Sequence, residues 1–225
     1  MLLDIIYLSF IAFSVICGLI FTKRASHKCY KIFLIVLILT TLNETGSFVV
    51  KFLAYSHKID LVVNTHPNYN VFFYLRFTLL GMIFQSIFTR KNKLVYYSIQ
   101  LFYIVTIVMF FVCYNLYDGI RKIHTVYYIT GGAFVIINCL LLFYQSVNND
   151  EVVSPFEFPF FLSAVALFLL FLGILPFMGM INFLAKYNAS LFENQQIIIK
   201  CLNVVFYSLI SFDYYKQWKR MKSPY

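Results

Sequence analysis

Seven long apolar segments dominate the sequence and constrain its fold more than any other feature. They cover about residues 2–22, 32–55, 69–88, 94–117, 126–147, 158–184 and 197–215. Most are close to the roughly 20 residues that an α-helix needs to cross a hydrocarbon core about 30 Å thick. The segments are continuous and lack the period-2 alternation of transmembrane β-strands, so helices are favoured over a barrel. The sequence therefore predicts an all-α integral membrane protein.

The composition supports a membrane protein and excludes an ordinary water-soluble domain. Of the 225 residues, 61% are hydrophobic and 12% are charged, whereas soluble domains are about half apolar and a quarter charged. The first segment carries Asp4, has a long apolar stretch and lacks a small-residue cleavage site, so we interpret it as a membrane helix and not a signal peptide. With short connections and no evident internal repeat, residues 1–225 are interpreted as a single polytopic domain, a seven-transmembrane-helix bundle.

The distribution of basic residues predicts the orientation of this bundle. With the N-terminus outside, the inner loops and the C-terminal tail carry eleven Lys and Arg residues, against four in the outer loops. Cytoplasmic loops are enriched in these residues, which favours an outside N-terminus and an inside C-terminus. The net charge of +9 is therefore assigned to cytoplasmic loops, and no direct nucleic-acid binding is expected. The expected partners are the lipid bilayer and, at the basic inner loops and tail, a cytoplasmic protein.

Five polar or charged residues within the segments predict a site. They are Glu44 and Lys51 in the second segment, Arg76 in the third, and Lys200 and Asn203 in the seventh. Ionisable side chains inside a membrane are costly unless they are paired or face water, so they are functional candidates. The predicted orientation places all five in the outer half of the bilayer. We expect them to line an outward-opening polar pocket for a small anionic or zwitterionic ligand.

The same charges also allow a purely structural interpretation. Glu44 and Arg76 would form an ion pair that ties the second helix to the third. Lys51 and Lys200 would extend to the lipid headgroups through their long apolar stems. Under this alternative the charges stabilise the bundle and bind no ligand.

Three further features of the apolar segments predict local structure. Pro176 lies inside the sixth segment, where it removes a backbone hydrogen bond and allows a kink, so it is a candidate hinge or a site of static packing. Asp213 is expected to pair with Lys216 or Lys219 near the inner surface. Aromatic residues at segment ends are expected to form interfacial belts; they include Tyr30, Tyr55, Tyr69, Tyr117 and Trp218.

No motif in the chain indicates catalysis, a metal or a cofactor. The sequence contains no HExxH, GxSxG, P-loop or Gly-rich dinucleotide-binding pattern. The four histidines all fall in predicted loops. His57, Asp60 and His66 match no metal-ligand spacing and are interpreted as solvated loop residues. Lys200 lies too close to the outer end of its helix for a retinal lysine, and Trp218 is the single tryptophan. No catalytic residue, metal ligand or cofactor is assigned, and an enzyme is not expected.

Four motifs resemble those of a known group of membrane proteins. They are residues 43–47 in the second helix, 70–77 opening the third, 159–162 opening the sixth, and 203–207 followed by a basic tail. With these motifs the chain resembles, along its whole length, a broad group of uncharacterised seven-helix membrane proteins common in Bacteroidota. Members of this group often carry an acidic residue where Arg76 stands. The resemblance implies a seven-helix bundle and provides no activity to transfer.

Three functions remain open from the sequence. The first is a sensor or ligand-binding module in the bacterial inner (cytoplasmic) membrane, indicated by the polar cluster and the Pro176 kink. The second is a small transporter or channel in which Glu44 would be the coupling or selectivity residue. The third is a membrane accessory or effector of a bacterial defence system of the RNA-targeting CRISPR type, compatible with the small size and basic cytoplasmic face.

Overall fold

The chain folds into seven α-helices within the residues that the structure describes. The computed structural model describes residues 2–23, 27–56, 66–88, 93–116, 124–148, 154, 156 and 158–222. The helices are α1 (Leu2–Thr22), α2 (Lys28–Ser56), α3 (His66–Ile87), α4 (Lys93–Leu116), α5 (Thr125–Val147), α6 (Phe161–Tyr187) and α7 (Ala189–Lys222). The predicted all-helical fold is therefore confirmed.

Six of these helices are long and apolar enough to cross a membrane. They are α1, α2, α3, α5, α6 and α7. In α4 the apolar stretch within the described residues is shorter and covers Tyr96–Val112. The structure thus supports a multi-pass helical membrane protein, and the seventh crossing remains a prediction.

The six candidate spans are also the six helices that surround the centre of the bundle. Each packs against its neighbours in the order α1, α2, α3, α5, α6 and α7, and α7 packs back against α1. Helix α4 contacts α3 and α5 from outside this ring. It presents exposed apolar side chains, including Leu101, Ile104 and Ile107. The interior of the bundle is therefore bounded by six helices, and α4 is not one of them.

The largest boundary difference from the prediction is at the start of α7. The prediction begins this helix at residue 197 because residues 193–196 are polar, whereas the helix begins at Ala189. The side-chain oxygen of Asn188 accepts a hydrogen bond from the backbone N–H of Leu191 at 3.0 Å. Asn is a favoured N-cap residue because it satisfies a donor that the first turn leaves unpaired.

A buried polar cluster joins α2, α6 and α7 at the end of the bundle where α6 begins. Asp213 accepts hydrogen bonds from the backbone N–H and the hydroxyl of Ser163, and from the Tyr30 hydroxyl at 3.3 Å. The Tyr30 hydroxyl in turn accepts the N–H of Phe160 at 2.9 Å. Phe160 precedes α6 in a left-handed conformation with φ of 67° and makes no side-chain cap. The carboxylate of Asp213 therefore caps α6 from another helix.

This cluster corrects two predictions. Asp213 is held by Ser163 and Tyr30 and not by a direct lysine ion pair, because the Lys216 ammonium donates to the carbonyl oxygen of Phe156 at 2.8 Å. Tyr30 is buried and does not belong to an interfacial belt. Sequence position near a helix end predicted the belt, but the direction of the side chain depends on packing.

Candidate functional site

A cavity of about 370 Å³ lies inside the ring of six helices. All six ring helices contribute to its wall. It is in the half of the bundle where α1, α3 and α7 begin, because Asp4, Tyr69 and Phe192 line it. The volume is at the small end of the range of roughly 300–1,000 Å³ that is typical of ligand pockets.

The five site residues predicted from the sequence all line this one cavity. Glu44 and Lys51 come from α2, Arg76 from α3, and Lys200 and Asn203 from α7. Asn203 is buried, and its side-chain amide donates to the carbonyl oxygen of Ile199 at 2.8 Å. Asn203 therefore shapes the wall, whereas the four charged residues determine its electrostatic character. Ligand binding by these residues remains a proposal.

Arg76 places a buried guanidinium in the cavity wall. Its side chain is 9% exposed. Within the described part of the chain, Nε of Arg76 has no hydrogen-bond partner. The guanidinium carbon lies 5.3 Å from the centroid of the Phe171 ring on α6, close enough for a cation–π contact. The aromatic face orients the charge but accepts no conventional hydrogen bond, so the planar donor group keeps hydrogen-bonding capacity.

Glu44 is held by a tyrosine and not by the arginine of the structural interpretation. Its Oε2 accepts a hydrogen bond from the Tyr69 hydroxyl at 3.2 Å. Among the residues with described side chains, Glu44 and Arg76 form no direct ion pair, although Lys51, Arg76 and Lys200 all interact with Glu44 through their charge. Tyr69 was predicted to belong to an interfacial belt, and that prediction is wrong because its hydroxyl reaches into the cavity wall.

Lys200 forms an ion pair that the sequence analysis did not predict. Its ammonium lies 2.6 Å from Oδ1 of Asp4, which joins α7 to α1. The two side chains are 27% and 29% exposed, so the pair lies at an accessible part of the cavity. Asp4 is near the start of α1, and antiparallel packing of α1 on α2 is the signal that could have placed it at the same end as Lys51. The positive charge of Lys200 and the negative charge of Asp4 therefore neutralise each other.

The rest of the wall is aromatic and apolar. Tyr7 and Tyr207 pack with ring centroids 6.2 Å apart, and both line the cavity. Ile174, Met178 and Ile181 line it from α6. Their spacing of four and three residues places them on one helical face, a signal present in the sequence that our site prediction did not use. The cavity therefore combines a charged side on α2 and α3 with an apolar side on α6.

Pro176 lies in the turn of α6 that carries this apolar side. The helix continues through the proline without interruption. Because Pro176 has no N–H, the carbonyl oxygen of Leu172 lacks its usual helical donor. One residue beyond the proline, the carbonyl oxygen of Phe177 accepts a hydrogen bond from the buried Gln195 side chain of α7 at 2.8 Å. The hinge role of Pro176 remains a proposal, and its position beside the cavity motivates it.

His124 lies outside the helices, directly before α5, as predicted, whereas His66 is the first residue of α3. His124 is buried, its backbone N–H donates to Oδ1 of Asn70 at 3.0 Å, and its Nδ1 lies 3.3 Å from the Tyr74 hydroxyl. His57 and Asp60 lie outside the described residues. Within the described residues no group of three His, Cys, Asp or Glu side chains could hold a metal.

His124 predicts a pH dependence of stability. Burial lowers the pKa of His124 below its ordinary value of about 6.5. Below that pH the unfolded chain binds a proton that the folded chain resists, so stability is retained above pH about 6.5 and falls as the pH drops towards the folded pKa. We expect thermal unfolding in nanodiscs to move to lower temperature between pH 7.5 and 5.5. His124→Asn should reduce this slope, whereas His27→Asn, at an exposed histidine, should leave it unchanged. An equal slope in wild type and His124→Asn would contradict the assignment.

The chain matches no protein-family model, no curated protein sequence and no solved structure. Its class therefore follows from its own fold and site. The apolar helices identify a multi-pass helical membrane protein, and its central feature is a charged cavity enclosed by six of them.

Proposed function

We propose that this protein is a ligand-binding or sensor module of the bacterial inner membrane, and that it binds a small anionic or zwitterionic molecule in the cavity. The observation that carries the proposal is the guanidinium of Arg76. It is buried in the wall of a cavity and, among the described side chains, its Nε has no hydrogen-bond partner. A bound anionic group would give this guanidinium, which lines the cavity, a charged partner.

The energetics favour this role over a structural one. A buried charge is strongly destabilising unless it is paired and hydrogen-bonded. The structural alternative provides such pairing through Glu44, but Glu44 bonds to Tyr69 instead. Arg76 contacts the Phe171 ring, and a cation–π contact contributes only about 0.5–2 kcal/mol. An incompletely satisfied guanidinium that lines a cavity is what an anion-binding site requires before its ligand arrives.

The proposed orientation makes the cavity accessible from outside the cell. The positive-inside rule favours an outside N-terminus, and the cavity lies in the half of the bundle where α1 begins. A ligand would then enter from the periplasmic side, near the Asp4–Lys200 pair. The basic C-terminal end of α7 would lie in the cytoplasm, where a protein partner could bind and respond to a conformational change of the bundle.

The experiment is a thermal-unfolding screen of the purified protein in nanodiscs against a panel of small anions and zwitterions. We expect at least one compound to raise the unfolding temperature of the wild type by stabilising the folded state. The shift should be lost in Arg76→Gln and retained in Lys186→Gln, which removes an exposed positive charge outside the cavity. A panel without any Arg76-dependent shift would contradict the proposal. Uptake of an identified ligand into proteoliposomes would favour a transporter over a sensor.

Replacement of Pro176 tests the proposed hinge. Pro176→Ala restores a backbone donor to Leu172, so we expect the unfolding temperature to rise by a few degrees. If α6 bends when ligand binds, the stiffer helix should also show a smaller ligand-induced shift than the wild type. Gly179→Ala is the control, because its added Cβ meets Ile129 at an ordinary 3.5 Å and leaves the proline in place. A ligand-induced shift identical in Pro176→Ala and wild type would show that Pro176 is static packing.

A further inference from the structure

We infer that the ligand is a zwitterion with a small apolar group, that its anionic group binds Arg76, and that its ammonium group binds Glu44. This inference rests on the proposed function and narrows it from any anion or zwitterion to one chemical class. It follows from the placement of the Glu44 and Arg76 charges on different helices and from the apolar side of the cavity.

Among the cations of the cavity, Arg76 is the residue best placed to bind an anionic group. Lys200 already forms an ion pair with Asp4 at 2.6 Å. Lys51 is exposed and, among the described side chains, forms no ion pair that would fix it in the cavity. Arg76 is buried and contacts the Phe171 ring on one face. A guanidinium presents a planar fork of donors that matches a carboxylate or phosphate group in bidentate geometry.

Glu44 is the residue best placed to bind the ammonium group of the ligand. Its Oε2 accepts one hydrogen bond from Tyr69, and an ionised carboxylate has about four acceptor positions. Glu44 therefore keeps capacity for a charged donor. A simple anion bound at Arg76 would be repelled by Glu44, whereas a ligand that carries both charges satisfies both residues.

The cavity also holds two opposite charges that a zwitterion would satisfy together. Its charged lining residues are Asp4, Glu44, Lys51, Arg76 and Lys200. Asp4 and Lys200 form an ion pair, and Lys51 is exposed and forms no ion pair among the described side chains. Glu44 and Arg76 lie on neighbouring helices and form no hydrogen bond or ion pair with each other in the described structure. One ammonium and one anionic group complete both interactions without adding net charge to the membrane interior, where net charge is costly.

The apolar side of the cavity indicates what the rest of the ligand looks like. Ile174, Met178 and Ile181 of α6, with Ile199 of α7, form this side. A cavity of about 370 Å³ accommodates a group of a few carbon atoms and excludes complete lipid acyl chains. Two sources carry the paired charges: a free apolar amino acid, which also has the apolar group, and the ethanolamine phosphate headgroup of a lipid, which does not.

The test uses matched compounds that differ by one charge. Binding to the full chain is measured by calorimetry in phosphatidylglycerol nanodiscs for alanine, valine, leucine and methionine. The controls are 4-methylpentanoate, which is leucine without its ammonium group, and 3-methylbutylamine, which is leucine without its carboxylate. We expect an amino acid of this panel to bind at least tenfold more tightly than either single-charge analogue. If the source is a lipid, native mass spectrometry should instead detect phosphatidylethanolamine retained from mixed nanodiscs.

Variants separate this inference from the proposed function. Glu44→Gln keeps an acceptor for Tyr69 and should lower affinity for the zwitterion at least tenfold, with little effect on 4-methylpentanoate. Arg76→Gln, and Arg76→Lys to a smaller extent, should weaken both. Glu193→Gln removes an exposed carboxylate on α7 and should change neither. Tight, Arg76-dependent binding of simple anions that is indifferent to Glu44 would overturn the inference and leave the proposed function standing. Absence of any Arg76-dependent binding, lipid included, would overturn both.

Discussion

Asp213→Ala is expected to lose about 3 kcal/mol of unfolding free energy, because its carboxylate caps α6 and holds a buried tyrosine hydroxyl. The carboxylate accepts hydrogen bonds from the N–H and hydroxyl of Ser163 and from Tyr30. Loss of an N-cap costs about 1 kcal/mol, and each buried donor left without a partner costs about 1–3 kcal/mol. Phe160, which precedes α6, has no side-chain cap of its own to compensate.

Thermal unfolding in nanodiscs measures this effect, and we expect a decrease of roughly 6–12 °C for a chain of this length. Asp213→Asn keeps one acceptor for the Ser163 N–H and should fall between alanine and wild type. Glu193→Ala, at an exposed acidic residue of the same helix, should change the unfolding temperature by less than about 2 °C. A loss in Asp213→Ala no larger than that of Glu193→Ala would show that the cap contributes little.

The lengths of the apolar runs were sufficient to predict the helices. A helix that crosses a bilayer must satisfy its backbone internally over about 20 residues, so its sequence carries a strong signal. That signal fails where polar residues continue a helix, as at the start of α7, because Asn188 caps the helix before its apolar part begins. The position of α4 outside the ring was not predictable, since α4 is apolar like the other segments.

The site was predictable in composition but not in pairing. Glu44, Arg76 and Lys200 are near the same end of the bundle because successive helices run in opposite directions, and the sequence shows how far each lies from its helix end. Which side chain contacts which depends on the rotation of each helix about its own axis. That rotation results from packing, and it directs Glu44 to Tyr69 and Arg76 to Phe171.

Gly131→Ala is expected to destabilise the bundle although alanine favours helices. Gly131 lies in α5 where it meets α3, and an added Cβ would come within 2.6–2.7 Å of three atoms of the Phe77 ring. That ring is fully buried, with Tyr127, Tyr128 and Phe171 at centroid distances of 5.6–5.7 Å. Such overpacking costs about 1–3 kcal/mol, more than the roughly 1 kcal/mol gained from helix propensity.

Gly46→Ala is the matched control, because nothing lies within 4 Å of the Cβ it would add to α2. It should leave the unfolding temperature unchanged or raise it slightly, while Gly131→Ala lowers it by a few degrees. The double variant Gly131→Ala with Phe77→Leu should lose less stability than the sum of the two single variants, since the smaller side chain makes room for the methyl group. Because Phe77 packs on Phe171, whose ring holds the Arg76 guanidinium, Gly131→Ala should also weaken ligand binding. Equal behaviour of the two alanine variants would show that α3 and α5 are not in close contact at Gly131.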